Sequence, residues 1–151
     1  MPEKKTLERA RKDKREGKAP TTQAGEFVRE EIEHIREGKH GARSPEQAIA
    51  IGLSKARRAG VELPPPKKGT TSEATRKRAE HDLEKGRKKA ATKSSPKRSS
   101  ATLQALKHEG RSAASPKKLS EHAKRAAAAR KRRGPVTSGS TRRKQSRSTA
   151  K

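Results

Sequence analysis

Large apolar residues crowd into the stretch 27–63, where Phe27, Val28, Ile32, Ile35, Ile49, Ile51, Leu53, Val61 and Leu63 all fall. Ala24, Phe27, Val28, Ile32 and Ile35 recur at spacings of three and four, which places them on one stripe of a helix. Thr21 or Thr22 is its expected N-cap and Gly38 its stop. The next helix opens at Ser44, Pro45, Glu46 and Gln47. Serine serves as N-cap, proline sits at the first helical position where its missing N–H is harmless, and Gln47 can close a capping box. Ala48, Ile49, Ile51, Leu53 and Ala56 carry this helix to about Ala59, and Gly60 ends it before Pro64, Pro65 and Pro66. The predicted core sets Phe27, Ile32 and Ile35 against Ile49, Leu53 and Ala56 in a helical hairpin. Ahead of it, residues 4–16 read as a solvated helix with Leu7 as its one large apolar residue and Gly17 as its stop. The tetrapeptide Arg-Glu-Gly-Lys occurs at 15–18 and again at 36–39. A duplicated helix–loop unit and chance in a Lys/Glu/Gly-rich chain both account for this echo.

Beyond residue 66 the pattern thins to isolated Leu83, Leu103, Leu106, Leu119 and Val136. Helical pieces are predicted at 72–85, 100–109 and from 116 or 121 to 133, stopped by Gly86, Gly110 and Gly134. None has a wide apolar face, and isolated helices of this length are marginal in water. Like charges at Lys124, Arg125 and Arg130 to Arg133 oppose the last one further. The expected fold class is therefore mostly α: a small helical hairpin or three-helix N-terminal module plus a largely disordered basic tail with conditional helices. The division reads 1–20 as a solvated N-terminal helix, 21–66 as the module and 67–151 as the basic low-complexity tail.

Charge sharpens that division. The 151 residues hold 42 Lys and Arg against 17 Asp and Glu, a formal charge of +25. Residues 67–151 carry +21 of it, and only 25% of the chain is hydrophobic. A polyanion is the default partner for such a chain: duplex DNA first, with RNA as the alternative. Stacking on single strands is disfavoured because Phe27 is the only aromatic residue and lies on the apolar stripe. There is no Cys, no apolar run long enough to span a membrane, and no signal-peptide h-region in the first residues. The expected location is accordingly cytoplasmic and nucleoid-associated, or nuclear in a eukaryote. No Gly-rich phosphate loop follows a strand and no nucleophile–base–acid set can be placed on rigid elements, so an enzyme is not expected.

Several groups are candidates for contact with phosphates. Ser-Pro-Lys-Arg at 95–98 and Ser-Pro-Lys-Lys at 115–118 can form compact turns that set Lys97, Arg98, Lys117 and Lys118 into an A·T minor groove; equally, Ser115 and Pro116 can begin a helix. Ser95 and Ser115 are also candidate phosphorylation sites, where added negative charge would weaken phosphate binding. The segment 123–133 joins alanines to Lys124, Arg125, Arg130, Lys131, Arg132 and Arg133, and carries most of the expected affinity. Lys55, Arg57 and Arg58 at the end of the third helix are expected as backbone contacts. Among the five histidines no spacing matches a zinc motif, and Glu30 with His34 reads as an exposed helix pair. No metal or other cofactor is expected. Glu30, Glu31, Glu33 and Glu37 read as the solvated face of their helix.

Two resemblances follow from these residues. The Lys/Ala/Ser-Pro-rich tail resembles linker-histone tails. The segments 25–38, 38–69 and 110–134 together resemble a family of small, basic, uncharacterised bacterial proteins sometimes labelled DNA-binding. The first resemblance implies non-sequence-specific DNA binding and compaction by phosphate neutralisation. The second implies a bacterial cytoplasm. The expected alternatives are an RNA- or ribosome-associated basic protein, and an adaptor whose helical module binds a protein partner or a second copy while the tail localises it.

Overall fold

A computed structural model describes residues 1–88 and 95–133, and its regular structure is helical throughout. The elements are α1 (Lys4–Arg15), α2 (Pro20–Arg36), α3 (Pro45–Arg58), α4 (Glu73–Arg87), α5 (Pro96–Lys107), a single 3₁₀ turn (Ser112–Ala114) and α6 (Pro116–Arg133). The local signals explain most boundaries. Ser44 Oγ accepts the Gln47 backbone N–H at 3.3 Å, while Gln47 Oε1 accepts the N–H of Arg43 at 2.7 Å, so the capping box closes one residue upstream of its usual partner. Gly17, Gly38 and Gly60 take positive φ just after α1, α2 and α3. In both Arg-Glu-Gly-Lys copies the lysine N–H after the glycine reaches back five residues, Lys18 to Asp13 O and Lys39 to His34 O. Pro20 rather than a threonine opens α2, with Ala19 as an N-cap that lends no side chain.

Two apolar clusters form; alanine makes up half the buried residues of the first and most of the second. Phe27, wholly buried, packs with Ala10, Ala24, Ala56, Val61 and Leu63, and Leu7 and Leu53 close the edge. Ile35 packs instead with Ala42, Ala48, Ala113 and Ala114, flanked by Ile32. The predicted pairing of Phe27 with Leu53 and Ala56 forms, but Ile32 and Ile35 turn to the second cluster, and half-buried Ile49 belongs to neither. Alanine makes up 8 of the 12 buried apolar residues among those described; such a core is filled by close backbone approach instead of bulk. Gly52 shows how close: a methyl there would sit 2.7 Å from Val28 Cα on α2. Nor is α1 a solvated helix, because Thr6, Ala10 and Asp13 are buried against α2.

The expectation of a largely disordered tail after residue 66 is overturned. α4 packs on α3 and runs through Gly86, where a methyl would lie 1.9 Å from Arg57 O, so Gly86 is a packing residue and not a stop. Asp82 fastens the same interface, accepting from Ser54 Oγ at 2.6 Å and from Arg58 Nε at 2.8 Å. Farther on, Gly41 donates to Leu106 O at 2.8 Å and Ala42 to Gly110 O at 3.0 Å, which ties the α2–α3 loop to the end of α5. Arg36 Nε reaches Ala114 O at 3.0 Å, and Ala113 and Ala114 fill the second cluster. Six helices therefore make one assembly from small contacts that a search for large apolar faces passes over. The predicted features at 134–151 lie outside the described residues.

Candidate nucleic-acid interface and a buried carboxylate cluster

α2 buries part of the face expected to be solvated. Glu33 and Glu37 are exposed, but Glu30 and Glu31 are only 3% and 1% exposed. The close crossing at Gly52 lets α3 cover more of α2 than its apolar stripe, and Lys55 on α3 reaches the carboxylates beneath. Lys55 Nζ hydrogen-bonds Glu31 Oε1 and stands 3.5 Å from Glu30 Oε1. Glu30 Oε2 accepts the backbone N–H of Glu3 at 3.0 Å. One ammonium thus serves two buried carboxylates, and Glu30 Oε1 and Glu31 Oε2 are buried without a hydrogen-bond donor.

Two histidines complete the cluster. His34, one turn after Glu31, directs Nε2 to Glu3 Oε1 at 2.9 Å, and its Nδ1 lies 4.0 Å from Glu31 Oε1. His40, on the α2–α3 loop, directs Nδ1 to Gly41 O at 3.0 Å and places Nε2 3.3 Å from Glu31 Oε2. Hydrogen bonds from His34 and Lys39 hold the Glu3 carboxyl down to about 2. The expected exposed Glu30–His34 pair does not form: Glu30 faces Lys55 and the α1 N-terminus, and the partner of His34 is Glu3. Spacing rules missed His40 because the chain reverses at Gly38, bringing residues six apart to the same carboxylate.

This network lies among α1, α2, α3 and their loops. Residues 11–68 match DUF6496, a family of unknown function. The DUF6496 segment thus spans the last five residues of α1, all of α2 and α3 and the proline stretch, and stops before α4. Neither a DNA-binding description nor the basic C-terminal half comes with that match. In the comparisons with curated proteins and with solved structures, nothing matches.

Inside the DUF6496 segment the three cations expected to contact phosphates have internal partners. Lys55 is held by Glu31 and Glu30. Arg57 is buried, its Nε donating to Leu63 O at 3.2 Å and an Nη to Pro64 O at 3.3 Å, so it ties the extended segment after α3 back to that helix, and burial pulls its guanidinium below the usual arginine value. Arg58 is paired with Asp82.

The cations of α5 and α6 are placed differently. Both Ser-Pro motifs begin helices: Ser95 precedes Pro96 in α5, and Ser115 precedes Pro116 in α6 with its Oγ accepting the Lys118 N–H at 3.3 Å. Lys97 and Arg98 are exposed on the first turn of α5. On α6, Lys118 pairs with Glu121 at 3.6 Å, and Arg125 shares Glu46 with His122 at 3.1 and 3.0 Å. Those last contacts clamp α6 to the start of α3, and the His122 hydrogen bond, more than any other contact, lowers the Glu46 carboxyl to about 2. Lys117, Lys124 and Lys131 follow at steps of seven, which keeps them on one stripe, and they lie across the helix from half-buried Leu119, His122 and Ala126. With Arg130, Arg132 and Arg133 of the last turn they are exposed and make no ion pair among the described residues. Also among the described residues, no helix is long and apolar enough to cross a membrane.

Proposed function

We propose that the protein binds duplex DNA without sequence preference, and compacts it, by laying the outer face of α6 and the first turn of α5 along phosphates. The observation that carries this reading is the stripe Lys117, Lys124 and Lys131, followed by the exposed Arg130, Arg132 and Arg133 of the last turn; none of these six makes an ion pair among the described residues, and the neighbouring Glu121 pairs with Lys118. Each step of seven along the helix is about 10 Å, so the stripe runs for about 20 Å as a row of cations without bidentate base-reading geometry. A folded scaffold holds these cations in place, so less ordering entropy opposes binding than for a chain that must fold on DNA. Double strands are favoured over single strands because the only aromatic residue, Phe27, is fully buried and offers no base a stacking platform.

The mechanism is counterion release. If Lys97, Arg98, Lys117, Lys124 and Arg130 to Arg133 each neutralise one phosphate, the log–log slope of affinity against salt is about −7. Titration of the full chain onto duplex DNA of two unrelated sequences across a salt series tests it, with folded RNA as competitor. Equal affinities and a steep slope support the reading. A shallow slope, a large sequence preference or displacement by RNA at equal phosphate concentration overturns it.

A further inference from the structure

We propose that Glu31, His34 and His40 hold a divalent transition-metal ion of the zinc class, clipping the middle of α2 to the α2–α3 loop. One ligand atom from each of the three lies within 4.8 Å of the other two. The outer contacts of the histidines decide which nitrogen each presents. Gly41 O can only accept, so in the neutral ring the His40 hydrogen sits on Nδ1 and the Nε2 lone pair points toward Glu31 Oε2, 3.3 Å away. Glu3 Oε1 likewise accepts from His34 Nε2, which leaves the Nδ1 lone pair on the Glu31 side. Two lone pairs thus converge on a carboxylate that is 1% exposed and whose Oε2 has no hydrogen-bond donor. The 3.3 Å contact between His40 and Glu31 is not aligned as a hydrogen bond. Acceptors facing acceptors in a buried space are unfavourable unless a cation lies between them.

The charge count points the same way. Glu30 and Glu31 bring two buried negative charges, and Lys55 supplies one positive. Two imidazole nitrogens and one carboxylate oxygen are a donor set suited to zinc, copper or nickel and a poor one for magnesium or calcium. Hydrogen-bonded outer partners that fix each ring, here the Gly41 carbonyl and the Glu3 carboxylate, are the usual companions of histidine ligands. His34 and His40 stand edge to face with ring centres 6.0 Å apart, so a small inward shift brings both nitrogens onto one ion. The three residues lie inside the DUF6496 segment and away from the outer stripe of α6, so the site is independent of the DNA reading.

Calorimetric titration of metal-stripped full-length protein with Zn²⁺ tests this, with Co²⁺ as a spectroscopic probe of nitrogen ligation. The expected result is one high-affinity equivalent, a raised thermal midpoint with Zn²⁺, and Co²⁺ bands of a low-coordinate site. His40→Asn should abolish that equivalent, and Glu3→Gln should weaken it by about 10-fold by freeing the His34 ring. A combined His81→Asn, His108→Asn and His122→Asn variant should leave it intact. Absence of binding by the wild-type chain overturns the proposal. Loss of the equivalent in the variant lacking the other three histidines overturns it as well.

Discussion

The end of α3 and the helices α5 and α6 spend their charge in opposite ways. At the C-terminal end of α3 the cations are drawn inward: Lys55 neutralises buried carboxylates, Arg57 ties the segment after the helix back to it through Leu63 O, and Arg58 binds Asp82 of α4. Along α5 and α6 no residue is buried, and Lys97, Arg98, Lys117, Lys124 and Arg130 to Arg133 face outward. A lysine or arginine in this sequence is thus a structural residue or a candidate phosphate contact according to what lies opposite it. Composition gives the total, and the fold gives the division.

The sharpest way to separate the two regions is to damage one and read the other. Phe27→Ala empties the centre of the first cluster and should cost about 3 to 5 kcal/mol of stability. Chemical denaturation measures that loss, while the salt slope of DNA binding, taken where the variant is still folded, should not change. Lys55→Met comes next. It leaves two buried carboxylates without their ammonium, for a loss of about 3 kcal/mol. If Lys55 were a phosphate contact instead, the slope would become shallower by about 0.9 with little loss of stability. Those two outcomes are exclusive in practice and are read from the same denaturation and binding titrations.

A smaller effect concerns the clamp between the regions. The Glu46 carboxyl is lowered to about 2, first by its hydrogen bond from His122, so the stabilisation is complete above the ordinary carboxyl value near 4.5 and is lost as pH falls toward 2. Glu46 is about half exposed, so solvent screening limits the contribution to a few tenths of a kcal/mol. Amide hydrogen exchange should show α6 losing protection on acidification through that window in the wild type. Glu46→Gln should show the lower protection already at neutral pH and no further change of this origin.

The helices of the first half were legible because their signals are local and strong. Ser44 and Pro45 mark a start, Gly17, Gly38 and Gly60 mark ends, and Phe27 with Leu53 and Ala56 marks the facing stripes. What could not be read was packing carried by small residues. Ala113 and Ala114 carry no bulk that would advertise them as part of a core, yet they seal Ile35. Gly86, which sequence treats as a stop, is the residue that lets α4 approach α3. The buried cluster was hidden for a related reason. Glutamates on a polar-looking face become interior only because Gly52 admits α3, and His40 joins them only after the chain reverses at Gly38. Of the expected phosphate contacts, sequence supplied the cations but not the carboxylates and carbonyls that engage Lys55, Arg57, Arg58 and Arg125.

The central claim is that unpaired cations on α6, and not Lys55, Arg57 and Arg58 of α3, carry nucleic-acid binding. The most direct test compares the salt dependence of duplex DNA affinity for the full-length protein with that of a Lys117→Ala, Lys124→Ala, Lys131→Ala variant. These exposed positions should leave the unfolding midpoint nearly unchanged, and the log–log slope should become shallower by about 2.7, three contacts at about 0.9 each. An unchanged slope in a fully folded variant would contradict the account.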